Sequence, residues 1–198
     1  MKNVLFLFLL ISKGLFSQNS DKAFTCDEVS FWQTQHLTQF SSIPLTPEKT
    51  EDSYTSTRIP NGFENAIYEK TIIKDVTDDT YSDLSQANGK DSIQQKYTRI
   101  KASKTFETES EAKAYLNNVS KTLEKCLKSK GFKMESWSNT TNEGNRFFNQ
   151  TEEATKILYS EIQISIEQIT DGKTIMFTDN VVGFSVEFDW TYSDSMFY

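Results

Sequence analysis

The side chains that most often carry enzyme chemistry are scarce in this chain. Its 198 residues include one histidine, His36, and two cysteines, Cys26 and Cys126. A zinc site or a cysteine–histidine nucleophile pair cannot be assembled from these groups once the cysteines are bonded to each other. His36 lies between Trp32 and Phe40 on the apolar side of a predicted helix. We therefore expect a partly buried, hydrogen-bonded histidine there and not a catalytic base.

Two other patterns resemble a catalytic site and a metal site, but each lacks residues that such a site requires. Ser110 and Lys113 have the spacing in which a lysine one helical turn on activates a serine, but the motifs that accompany such a pair are absent. Four acidic residues could supply oxygen ligands to a calcium ion, but they lack the spacing and the central glycine of a known calcium-binding loop. They are Asp75, Asp78, Asp79 and Asp83. We expect a solvated acidic loop there. Paired carboxylates, as in glycoside hydrolases, are the enzymatic option that remains.

The most ordered charged feature is a row of lysines along the polar face of a predicted helix. The row consists of Lys113, Lys121, Lys125 and Lys128. On an acidic protein this lysine row is a candidate surface for an acidic partner. A solvated helix face is the alternative interpretation.

The first 17 residues have the layout of a secretory signal peptide. Lys2 is followed by an apolar run at residues 4–11 and then by small and polar residues up to Ser17. The run is far shorter than the roughly 20 residues that cross a bilayer. We expect cleavage after Ser17, with Gly14 as the alternative, and no membrane span after cleavage. Residues 18–198 are predicted to form a single domain, exported to the periplasm or the medium, and the leader is more typical of a bacterium.

The net charge limits the possible binding partners, and the expected compartment bears on whether the cysteines are oxidised. Loss of Lys2 and Lys13 with residues 1–17 changes the formal charge from −7 to −9. Such a surface repels nucleic acid and anionic membranes, so we expect neither as a partner. In an exported chain the two cysteines are most simply a disulfide bond between Cys26 and Cys126. Two free thiols are the alternative.

Two capping boxes predict where helices begin. Thr25 and Glu28 have the required spacing, and so do Thr108 and Glu111. The first box predicts a helix of about four turns that carries His36. The second predicts a longer helix, which ends near Gly131 and carries both Cys126 and the lysine row.

Alternating apolar and polar residues predict the strands. They lie around residues 65–74, 93–106, 132–138, 162–166 and 184–192. Asp171 and Gly172 are predicted to form a hairpin turn. Residues 41–62 contain all three prolines and are predicted to be a surface connection. The order α-β-β-α-β-β-β predicts an α+β fold: an antiparallel, mostly meandering sheet with one face covered by two helices.

These features together favour binding over catalysis. We expect an exported, non-enzymatic binding protein without a cofactor, of the inhibitor or immunity type, that binds another macromolecule. The alternative is a small-ligand carrier with an aromatic-lined cavity between strand 184–192 and the apolar helix faces. A carboxylate-based hydrolase is the third hypothesis.

Overall fold

The computed structural model of the protein describes residues 22–48, 52–73, 93–139, 142–153, 156–175 and 178–197. The predicted signal peptide at residues 1–17 lies outside the described residues, and so does the acidic cluster of Asp75, Asp78, Asp79 and Asp83. No helix within the described ranges is long and apolar enough to cross a membrane.

In the part of the chain that the structure describes, two helices flank the first four strands. They are α1 (Cys26–Leu37) and α2 (Glu109–Leu127), and a 3₁₀ turn (Lys128–Lys130) follows α2. The capping box of α2 is confirmed. Thr108 Oγ1 accepts a hydrogen bond from the Glu111 amide at 3.3 Å, and the Glu111 carboxylate accepts one from the Thr108 amide at 3.2 Å. Gly131 then adopts a left-handed conformation, with φ of 79°, which ends the helical segment.

The capping box predicted for α1 is only half formed. Thr25 Oγ1 accepts a hydrogen bond from the Glu28 amide, but the buried Glu28 carboxylate has other partners. It accepts hydrogen bonds from Trp32 Nε1 at 2.8 Å and the Asn61 amide at 3.0 Å, and it pairs with Arg58 at 3.1 Å. A buried carboxylate needs such partners to offset its lost hydration. Glu28 therefore fastens α1 to a later segment of the chain.

Within the described residues, eight strands form one antiparallel sheet. They are β1 (Thr46–Pro47), β2 (Ser53–Thr55), β3 (Asn65–Ile73), β4 (Ile93–Phe106), β5 (Lys133–Ser138), β6 (Glu143–Glu153), β7 (Lys156–Ile175) and β8 (Thr178–Phe197). Their order in the sheet is β1-β2-β3-β4-β8-β7-β6-β5. Two four-stranded meanders therefore meet where β4 pairs with β8. The predicted α+β class and antiparallel, mostly meandering sheet are confirmed.

One hydrophobic core fills the space between the helices and one face of the sheet. Trp32 of α1, Leu123 of α2 and Trp190 of β8 are all fully buried in it. Side chains alternate between the two faces along each strand. The opposite face is polar, and its ion pairs include one between Arg99 of β4 and Asp189 of β8.

A disulfide bond joins the two helices. It links Cys26 in the first turn of α1 to Cys126 in the last turn of α2, with Cα atoms 5.4 Å apart. Disulfides persist mainly in oxidising compartments. The bond is therefore compatible with the export that the leader predicts.

Residues 41–62 differ from the surface connection predicted for them. They carry β1 and β2, which extend the sheet beyond β3. Ile43 and Pro60 are buried, so the segment also contributes to the core. The strands escaped prediction because they are two and three residues long and show little alternation.

The hairpin turn predicted at Asp171 and Gly172 is wrong. Both residues lie inside β7, whose pairing with β8 continues beyond them to Ile175 and Thr178. Gly172 has a φ of 70°, and the pairing of β7 with β8 shifts register at this point. Gly172 therefore allows the irregular backbone within the strand pair and does not form its turn.

Candidate ligand-binding site

The candidate site begins with the way α1 ends. Gln39 and Phe40 have positive φ values of 52° and 57°, and the Phe40 amide donates to the Gln35 carbonyl at 2.8 Å. Left-handed backbone is costly for residues other than glycine. The cost is offset because this turn places the Phe40 ring in the core. The turn thereby holds the last residues of α1 over the sheet.

Two adjacent rows of side chains across β4, β8, β7 and β6 form the floor beneath this turn. The strand registers place Thr98, Tyr192, Ser160 and Asn149 in the first row, and Lys96, Asp194, Leu158 and Thr151 in the second. Both rows have the parity of Ile100 and Trp190, so they face the helices. The helix-covered face therefore changes from apolar to polar beyond the end of α1.

Two adjoining cavities lie between the turn and the floor. The first has a volume of about 150 Å³ and mainly apolar walls, which include Leu37, Phe132, Leu158 and Trp190. We call it the apolar cavity. The second has a volume of about 140 Å³, and its walls include Gln39, Lys96, Thr98 and Asp194. We call it the polar cavity. His36, Leu37 and Tyr192 border both.

His36 borders both cavities. The rings of Phe40, Trp190 and Tyr192 surround it, with centroids 5.1–6.3 Å away. Its Nδ1 lies 2.8 Å from Thr98 Oγ1. Burial lowers the pKa of His36 to about 3, so the ring is neutral at pH 7. The sequence predicts a partly buried, hydrogen-bonded histidine, whereas His36 is fully buried and bonded at Nδ1 alone among the described residues.

Three buried polar atoms around the polar cavity have no hydrogen-bond partner among the described residues. They are His36 Nε2, Gln39 Nε2 and Asp194 Oδ1. Leaving such an atom unpaired costs about 1–3 kcal/mol, and native proteins contain few of them. All three belong to residues that border the polar cavity, which makes this cavity the candidate site.

Opposite charges face each other across β4 and β8 in the polar cavity. Lys96 and Asp194 are register partners. Asp194 Oδ2 pairs with Lys156 Nζ at 3.0 Å and not with Lys96. Burial, with a smaller contribution from the Asp194 carboxylate, raises the pKa of Tyr192 to about 12. The cavity therefore offers a cation, a carboxylate oxygen and a protonated phenol.

The four lysines of the lysine row lie in different environments. Lys113 pairs with Glu109 at 3.0 Å and with Glu143 at 3.4 Å. Lys121, Lys125 and Lys128 are exposed along the later part of α2 and after its end. None of the row borders the two cavities. In the part of the chain that the structure describes, no group of three or more His, Cys, Asp or Glu side chains is placed to hold a metal ion.

Tyr192 ends the strand that the sequence predicts to line a cavity, but the other residues of the floor were not predicted as part of a site. Asn149 and Thr151 lie on β6, a strand that the sequence does not predict. Asp194 interrupts an otherwise aromatic series after Trp190 and Tyr192, and this break in the pattern was the one available signal.

The chain was compared with known proteins in three ways. Neither protein-family models, nor curated proteins, nor solved structures give a match. The residues of the site are therefore what points to a function.

Proposed function

We propose that this is an exported, non-enzymatic protein that binds a small molecule in the two cavities beneath the end of α1. The observation that carries the proposal is the group of three unpaired buried atoms on residues that border the polar cavity, next to the apolar cavity. Small-molecule sites combine apolar walls with a few placed polar groups in this way. Of the two binding hypotheses that the sequence leaves open, this geometry favours the small-ligand carrier.

The aromatic strand contributes to the site at one end only. Trp190 and Tyr192 border the apolar cavity, whereas Phe188 and Val186 are buried in the packed core. Trp190 Nε1 donates to Ser160 Oγ at 3.0 Å, which fixes both side chains beside the cavity. The walls are therefore largely formed before a ligand arrives.

The chemistry of His36 favours binding over catalysis. A general base works best when its pKa lies near the working pH. Burial holds the pKa of His36 at about 3, and aromatic rings enclose it. Its neighbour Thr98 is 1 % exposed, so that hydroxyl is poorly placed to attack a substrate.

The mature protein, purified under native conditions from its own host, is expected to carry a small molecule that native mass spectrometry detects. The variant Leu158→Trp should lose it, because the larger side chain fills the apolar cavity. Ile157→Trp is the matched control, since the neighbouring residue faces the other side of the sheet. A ligand-free native protein, or retention of the ligand by Leu158→Trp, would contradict the proposal.

A macromolecular partner is the second candidate, and the exposure of Lys121, Lys125 and Lys128 favours it. Charge reversal in Lys121→Glu/Lys125→Glu should abolish capture of an acidic protein from the native envelope and medium. Lys113→Glu is the control within the same helix, because Lys113 is already paired with Glu109 and Glu143. Unchanged capture by the double variant would remove the lysine row from consideration.

A further inference from the structure

We propose that the ligand is a free α-amino acid with an apolar side chain of leucine or phenylalanine size, bound as its zwitterion. The inference rests on the proposed function and names the class of molecule for the same two cavities. The polar cavity would hold the ammonium and carboxylate groups, and the apolar cavity would hold the side chain.

The charges of the polar cavity select a molecule that carries both signs. Directly opposite residues on antiparallel strands have Cβ atoms about 4.5–5.5 Å apart. Lys96 and Asp194 stand in this relation, on the face that borders the cavity. A ligand with only a carboxylate leaves Asp194 Oδ1 without a donor, and one with only an amine leaves the Lys96 ammonium without an anion among the described residues. An α-amino acid carries its two charged groups on one carbon and matches both side chains.

The unpaired atoms match the hydrogen-bonding groups of such a molecule. Asp194 Oδ1 accepts from the ammonium, because its other oxygen is already engaged by Lys156. Gln39 Nε2 donates to the carboxylate, which also lies near the Lys96 ammonium. His36 Nε2 serves either group, since its tautomer depends on the direction of the bond between Nδ1 and Thr98.

The apolar cavity sets the size of the side chain. A dry cavity of about 150 Å³ is large enough for a benzene ring, and the apolar cavity has this volume. His36, Leu37 and Tyr192 border both cavities, so the two lie next to each other, and the ligand would span them with its charged groups in one and its side chain in the other. Glycine leaves the apolar cavity unfilled and should bind about 100-fold more weakly than leucine, from the area that the side chain buries.

Titration calorimetry with five probes tests the class of ligand. The dialysed mature protein is titrated with L-phenylalanine, L-leucine, glycine, hydrocinnamate, which lacks the ammonium, and phenethylamine, which lacks the carboxylate. We expect the first two to bind and each single-charge analogue to bind at least about 10-fold more weakly than phenylalanine. Hydrocinnamate or phenethylamine binding as tightly as phenylalanine would overturn the inference and leave the proposed function intact. Absence of binding by all five probes would also overturn it, while the native mass spectrum decides the proposed function separately.

Two conservative variants test the roles of the charges. Asp194→Asn should remove the preference for phenylalanine over hydrocinnamate, and Lys96→Gln should remove the preference over phenethylamine. Lys101→Gln is the matched control, because Lys101 lies on the same strand but pairs with Glu69 on the other face. The readout is a ratio of affinities for two ligands, which a general loss of stability does not change. Preferences that stay the same in both site variants would contradict the assignment.

Discussion

Replacing Cys26 and Cys126 together with serine is expected to lower the free energy of unfolding by about 4–5 kcal/mol. The two residues are 100 positions apart, so the bond closes a long loop in the unfolded chain and restricts its conformations. For a chain of this size the same loss corresponds to a fall in Tm of about 10–20 °C. Urea unfolding and calorimetry of the oxidised protein and the double variant measure it.

The alanine pair is the control for the change of side chain. Cys126 is buried, so a serine hydroxyl there adds a cost of its own that alanine does not. Both pairs should nevertheless lose most of the same free energy, because the loop constraint is absent from both. A loss below about 1 kcal/mol in the alanine pair would show that the bond restricts the unfolded chain little.

The parts of the fold that depend on neighbouring residues could be predicted from the sequence. Thr108 and Glu111 are three positions apart, so the cap of α2 requires no knowledge of the rest of the molecule. Glu28 has the same spacing from Thr25, yet its carboxylate binds Arg58 and Asn61, more than 25 positions later. The partners of the Glu28 carboxylate therefore depend on which distant segments the fold brings beside it.

The missing strands have a related cause. Ser53–Thr55 pairs with β3 because that strand has a free edge, which the three residues themselves do not reveal. Strand β6 was missed because Asn149 and Thr151 occupy inward positions where the alternation requires apolar side chains. These polar residues border the apolar cavity, so the pattern fails at the candidate site.

The candidate site needed the strand registers before it could be recognised. Lys96 and Asp194 are 98 positions apart in the chain and become neighbours only when β4 pairs with β8. The sequence places His36 on the apolar side of α1, between Trp32 and Phe40. It does not show that Nδ1 meets Thr98 from a strand while Nε2 stays unpaired. The signal for binding is thus a property of the assembled sheet.

Acid is expected to destabilise the folded protein through His36. Burial lowers the pKa of this residue from 6.5 to about 3. Between these two pH values the unfolded chain binds a proton that the folded chain does not, so the free energy of unfolding falls as the pH is lowered. The part due to His36 should reach about 3 kcal/mol at pH 4.5, two units below the unfolded pKa. Urea unfolding at pH 7 and pH 4.5 measures the change.

The contribution of His36 is separated from that of the carboxylates by a variant that cannot titrate at this position. Other titratable groups around the polar cavity, among them Asp194, are common to both proteins and largely cancel. His36→Gln should therefore lose about 3 kcal/mol less than the wild type over the same pH interval. Leu123→Ala weakens the core without changing a titratable group. The difference between its free energy of unfolding and that of the wild type should therefore be equal at both pH values. If the difference in free energy of unfolding between His36→Gln and the wild type were also equal at both pH values, the imidazole would titrate alike in the folded and unfolded chains. That result would contradict the burial of the His36 ring.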